Sequence, residues 1–210
     1  MTRKEIVAII EQEKVVFVTR LKDATKVQLV IASLIKGGAK VMEITSNTPN
    51  YSEEISKARA SYPHVIIGAG TVINSKIAIE AIKAGAQFLV SPNCSIELVT
   101  IAHQHGIPIL MGALTPTEIC EAWNAGADFV KLFPADIMGI PYFKSISGPL
   151  DNVKILAVGG IELHRVKDWM DAGAYGIGIV SVLKEPIENE EDYIAIEKNA
   201  NNFINLLKDI

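Results

Sequence analysis

Two side chains carry chemistry where packing alone would not put it. Lys131 sits inside the apolar run Ala127-Asp-Phe-Val-Lys-Leu-Phe-Pro-Ala135, and Glu43 follows Val41-Met42 in another. A lysine in a buried strand admits two readings. Its ammonium can snorkel to the strand end, or burial can depress its pKa until the neutral amine is populated, as condensation with a carbonyl carbon requires. A carboxylate beside such an amine can move protons on and off the reacting group. The plainer alternative for the two is a buried ion pair. Such pairs rarely offset their desolvation, so an isolated internal pair points to function more than to stability.

Other polar groups stand at positions that could hold a substrate. In Val15-Val-Phe-Val-Thr-Arg20 the alternate residues Val16, Val18 and Arg20 share a face, which aims the arginine inward at the strand's end. Gly68-Ala-Gly-Thr71 offers close backbone approach and a hydroxyl. Arg20 and Thr71 could grip a small carboxylate. They could equally be a surface ion pair and a helix cap. Gly159-Gly160, with Gly178 and Ser181 downstream, could cradle a phosphate on backbone N–H groups, or Gly-Gly could simply make a tight turn. His103 and His105 are two apart and do not share a helical face, and His64 and His164 have no visible partner, so no metal site is indicated.

The elements that must position these groups alternate regularly. After an amphipathic helix from Lys4 to about Glu13, with Ile6, Ile9 and Ile10 on one stripe, eight β-rich runs alternate with helical patterns. The runs are Val15–Thr19, Lys40–Ile44, His64–Gly68, Gln87–Ser91, Ile107–Met111, Asp128–Leu132, Val153–Val158 and Tyr175–Val180. Eight βα units without a composition break predict a (β/α)8 TIM barrel with an extra N-terminal helix, one domain over residues 1–210. The competing doubly wound open sheet lacks its glycine fingerprint after the first strand.

A repeat supports the closed barrel. Gly-Ala recurs at Gly38, Gly85, Gly126 and Gly173, each time ending a helix and launching an even-numbered strand. Five residues beyond each glycine stand Glu43, Val90, Lys131 and Gly178. Barrel interiors fill in layers drawn from alternate strands, so equal offsets predict one layer in which Glu43 and Lys131 face each other.

Composition narrows the partners. The 210 residues are 49% apolar and 21% charged, and 24 acids against 20 bases give a net charge of −4, which offers no support for a polyanion-binding surface. No run approaches membrane-spanning length, and the N-terminus has no signal-peptide core, so a cytoplasmic protein with neither nucleic-acid nor membrane partners is expected. Cys94 and Cys120 form no C-x-x-C and read as buried small hydrophobes.

Taken in order, Glu43-Ile-Thr, Ile67-Gly-Ala-Gly-Thr-Val72, Ser91-Pro92, Thr115-Pro-Thr-Glu118, Phe129-Val-Lys-Leu-Phe-Pro134, Gly148-Pro149 and Val158-Gly-Gly160 resemble the class I 2-keto-3-deoxy-6-phosphogluconate (KDPG) aldolases, which also act as 4-hydroxy-2-oxoglutarate aldolases. The resemblance covers about Val15 to Ser181. It implies a (β/α)8 barrel, usually a homotrimer, with no metal or organic cofactor and a phosphorylated keto sugar acid or pyruvate as small-molecule partner. It makes Lys131 the Schiff-base lysine, Glu43 the general acid/base and Thr71 the carboxylate contact. Phe133 lies beside the imine, Pro92 on the substrate side, and Gly159, Gly160 and Ser181 at the phosphate end.

Three positions depart from the family pattern. Asn47 stands where many members carry arginine, and Arg20 is available to supply that charge. Val158 replaces a threonine, and Val180 replaces a glycine before Ser181. The Asn-Thr-Pro and Ala-Val-Gly-Gly versions are similar to those of the 6-phosphogalactonate branch, which cleaves the C4 epimer. A phosphosugar isomerase or epimerase, and a non-catalytic phosphosugar-binding barrel, are the competing readings.

Overall fold

A computed structural model describes residues 1–183 and 186–210. Eight parallel strands close into a barrel in sequence order: β1 Val15–Thr19, β2 Val41–Thr45, β3 Ile66–Gly70, β4 Leu89–Val90, β5 Ile109–Ala113, β6 Phe129–Leu132, β7 Ile155–Val158 and β8 Gly176–Ile179. Helix α1 (Arg3–Glu13) precedes β1. Helices α2 (Val27–Lys36), α3 (Tyr51–Ser61), α4 (Ser75–Lys83), α5 (Ile96–Gln104), α6 (Pro116–Asn124), α7 (Ala135–Ser147), α8 (Val166–Asp171) and α9 (Glu190–Lys208) follow the strands in turn. The expected TIM barrel with an extra N-terminal helix is the observed fold. No described helix is long and apolar enough to cross a membrane.

The Gly-Ala repeat closes four helices in one way. Gly38, Gly85, Gly126 and Gly173 all have left-handed φ, between 95° and 100°. In each, the glycine N–H bonds back to the carbonyl three residues earlier, and the alanine N–H to the carbonyl five residues earlier, as in Ala39 to Leu34 (3.0 Å) and Ala174 to Trp169 (3.1 Å). This Schellman pattern satisfies otherwise orphaned carbonyls and turns the chain straight into the next strand.

Among the described residues two apolar clusters result. The larger fills the space between sheet and helices. The smaller fills the barrel with Val16, Val41, Ile66, Phe88, Val90, Leu110, Phe129, Leu156 and Val158, closed from below by Ile6 and Ile10 of α1. Ion pairs of Arg3 with Asp128 (2.8 Å), Glu13 with Lys40 (2.7 Å) and Glu11 with Lys154 fasten α1 across that end. The opposite, C-terminal end of the strands is left for the site.

Some strand bounds differ from expectation. β3 runs on to Gly70 and β5 to Ala113, because Ala69 and Gly70 continue in register against Ile44 and Thr45, and Ala113 against Leu132. β4 is only two residues long. Cys94 and Cys120 are half-buried free thiols, not core residues, because each lies on a segment that faces partly outward.

Candidate active site

The predicted layer forms. Glu43, Val90, Lys131 and Gly178 border one small interior cavity with Val16, Val18 and Val158. Parallel register sets Glu43 level with Val18 and Gly68, and Lys131 level with Gly112 and Leu156. Lys131 is 5% exposed and Glu43 1%. Both groups line that cavity, and among the described residues no ion pair within 4.0 Å joins them.

Glycines make this arrangement possible. A Cβ on Gly70 would lie 2.1 Å from Glu43 Oε1 and 2.5 Å from its Cδ, so the carboxylate occupies the room that a side chain at residue 70 would fill. A Cβ on Gly178 would lie 2.7 Å from a Val158 methyl, and one on Gly112 would strike the Pro92 carbonyl carbon at 2.2 Å. That last contact is how Pro92, half-buried after β4, is seated across β5.

Burial and charge tune both groups. For Lys131, burial is the largest influence and pushes the amine below the ordinary lysine range, the Glu43 carboxylate opposes it, and the Arg20 guanidinium adds to the lowering. For Glu43, burial pushes the carboxyl up, while Lys131 and Arg20 pull it back. The pair therefore sits nearer to neutral amine and neutral acid than either group would in water.

The remaining candidates follow the C-terminal ends of the strands. Arg20 Nη2 donates to Thr71 Oγ1 at 3.4 Å, a contact between the residues just beyond β1 and β3. Thr71 has φ 56°, a left-handed conformation that is costly for a β-branched residue, of order 1–3 kcal/mol. The Phe133 ring centroid lies 5.0 Å from Lys131 Nζ. Gly159, with φ 98°, backs onto that ring, where a Cβ would sit 3.1 Å away. Gly160 also has positive φ, 74°, and Ser181 Oγ donates to the Ile161 carbonyl at 2.9 Å, tying the loop after β8 to the loop after β7. Asn47 is exposed just beyond β2 and Val180 is 38% exposed beyond β8.

A family model for KDPG and KHG aldolases matches residues 6–199. The chain belongs to that family. It is an aldolase, a carbon–carbon lyase. The aldolase is 32% identical over 168 residues to a 2-dehydro-3-deoxy-phosphogluconate aldolase of Pseudomonas aeruginosa, covering 79% of this chain and 76% of that one. It is also 32% identical over 155 residues to a 2-dehydro-3-deoxy-6-phosphogalactonate aldolase of Escherichia coli K12, covering 73% and 76%. Among solved structures it superposes, with a TM-score of 0.85 and 27% identity over 93% of this chain and 96% of that one, on the KDPG aldolase of Legionella pneumophila with pyruvate captured at low pH as a covalent carbinolamine intermediate.

The structure of the aldolase adds groups that spacing did not single out. Ser46 Oγ donates to the Thr71 carbonyl at 2.7 Å, and Ser46 N–H to the Gly70 carbonyl at 2.8 Å. Asp136, whose N–H donates to the Gly159 carbonyl at 3.1 Å, lies against Gly160: a Cβ there would meet Asp136 Cβ at 2.5 Å. Arg165 Nη1 stands 4.0 Å from Asp136 Oδ1. Only Gly70, at the end of β3, is a sequence signal of room for Glu43, and nothing in the chain order points to Ser46 or Asp136. No group of three or more His, Cys, Asp or Glu side chains is arranged to hold a metal among the described residues.

Proposed function

We propose that the aldolase cleaves a 2-keto-3-deoxy-6-phospho sugar acid to pyruvate and glyceraldehyde 3-phosphate through an imine on Lys131. The observation that carries this is a buried lysine, lowered by desolvation, sharing an interior cavity with a buried carboxyl whose pKa is raised. The covalent carbinolamine of the Legionella relative supports the same route.

Neutral Lys131 Nζ attacks the C2 ketone, and Glu43 as acid protonates the departing hydroxyl, so that water leaves and a protonated imine remains. The imine draws electrons. Glu43, now a carboxylate, takes the C4 hydroxyl proton, the C3–C4 bond breaks, and its electron pair becomes the enamine as glyceraldehyde 3-phosphate departs. Glu43 returns the proton to C3, and water hydrolyses the imine to pyruvate and free Lys131. Arg20 and Thr71 hold the carboxylate, Phe133 flanks the imine, Pro92 walls the substrate, and Gly159, Gly160 and Ser181 receive the phosphate.

The galactonate epimer is the second reading, because Val158, at the end of β7, brings no hydroxyl to the interior. 4-Hydroxy-2-oxoglutarate, giving pyruvate and glyoxylate, fits the same imine chemistry. A coupled pyruvate-release assay with the gluconate and galactonate phosphates and their unphosphorylated forms tests the proposal. Release from at least one phosphate, lost in Lys131→Ala, is expected; release from neither phosphate contradicts it. A cytoplasmic homotrimer follows from the same family reading, and light scattering tests the assembly.

A further inference from the structure

Thr71 is held in an unfavourable backbone conformation by contacts that its own sequence neighbourhood does not supply. Its φ of 56° belongs to the region that glycine and asparagine enter readily and β-branched residues avoid. Three anchors surround it. Ser46 N–H donates to the Gly70 carbonyl (2.8 Å), Ser46 Oγ donates to the Thr71 carbonyl (2.7 Å), and Val72 N–H donates to the Val90 carbonyl (3.0 Å). The first and third are backbone bonds that any residues could make. The second needs a hydroxyl at position 46.

The Ser46 hydroxyl bonds the carbonyl of the left-handed residue itself, so it favours the conformation that presents that carbonyl. In that state Thr71 Oγ1 accepts from Arg20 (3.4 Å) and keeps its own proton to give to an acceptor. The adjoining Gly70 is also the residue whose missing side chain makes room for Glu43. We infer that Ser46 is a positioning residue of the aldolase: its hydroxyl locks Thr71, and with it the Arg20–Thr71 grip on the substrate carboxylate, into the binding geometry. This rests on Thr71 as the carboxylate contact.

The role predicts a split between binding and turnover. The carboxylate is held in ground state and transition state alike, so loosening the grip raises KM and leaves kcat nearly unchanged. Steady-state pyruvate release by Ser46→Ala is expected to show KM up by about tenfold, the scale set by one hydrogen bond. Ser46→Thr, which keeps the hydroxyl, should restore the wild-type KM, and Ser46→Cys, a weak donor of similar size, should fall between. In a Thr71→Gly background, where the backbone adopts this φ unaided and no threonine hydroxyl remains, Ser46→Ala should add nothing further. An unchanged KM in Ser46→Ala, an equal loss in Ser46→Thr, or the same loss in both backgrounds overturns the inference. If Ser46→Ala fails to fold, Ser46→Cys against Ser46→Thr decides by the same KM comparison. Wild type that releases no pyruvate overturns the underlying reading as well; an active wild type with an indifferent Ser46 overturns this inference alone.

Discussion

The carboxylate of Glu43 lies where the side chain of residue 70 would be, 2.1 Å from the position of a Gly70 Cβ. The two residues are on neighbouring strands, and the acid is usable only because β3 carries no side chain there. Gly70→Ala must therefore push Glu43 out of place or shift the backbone between β2 and β3. We expect overpacking to cost about 1–3 kcal/mol in urea denaturation, and kcat to fall by about 10²–10⁴-fold, the usual worth of a general acid–base group. A Gly70→Ala enzyme with wild-type kcat would show that Glu43's position is not needed.

Lys131 and Glu43 should cost stability. Glu43's folded pKa is raised, so its favourable contribution is complete in acid and is lost as pH rises through the raised value. Lys131's folded pKa is lowered, so its contribution is complete above the ordinary lysine range and is lost as pH falls through the lowered value. Near neutral pH both burials weigh against folding. The double variant Lys131→Met with Glu43→Gln should be inactive and more stable by about 1–4 kcal/mol at neutral pH. A less stable double variant would mean that the pair holds the barrel together.

Arg20 should shift the pH profile as well as the KM. Its charge helps to lower the Lys131 pKa, so Arg20→Met should raise that pKa. The acid limb of kcat/KM for pyruvate release should then move to higher pH, because less lysine is neutral at a given pH. Loss of the carboxylate contact should raise KM at the same time. A KM effect with an unmoved acid limb would place Arg20 too far from the amine to matter electrostatically.

Asp136 lies against Gly160, so under the proposed phosphate placement at Gly159-Gly160 a bound phosphoryl dianion would feel its charge. Asp136→Asn should lower KM for phosphorylated substrates several-fold at low salt, with the gain shrinking as salt is added. The unphosphorylated analogue should bind unchanged. Equal changes for both substrates would separate Asp136 from the phosphate end.

The barrel was readable because its signals are local and repeated: four Gly-Ala caps at matching offsets define the even strands, and period two along those strands sets what faces inward. The facing of Lys131 and Glu43 followed from that periodicity. The setting of Thr71 did not, since the partners bonded at and beside this left-handed threonine, Ser46 just after β2 and Val90 on β4, are distant in the chain, and propensity argues against the conformation. Asp136 was hidden for a related reason: it reaches the Gly159-Gly160 turn only through the packing of α7's first turn on the end of β7. Asn47, the clearest departure from the family pattern, is exposed beyond β2, and it is Arg20, just after β1, whose charge acts on the buried pair.

The central claim is a covalent imine on Lys131. Incubating the protein with pyruvate and borohydride, then mapping the reduced adduct by peptide mass spectrometry, tests it directly. The expected result is one pyruvyl adduct per chain on the peptide carrying Lys131, absent from Lys131→Met, with pyruvate release lost in step. No adduct, or one on another lysine that leaves activity intact, would contradict it.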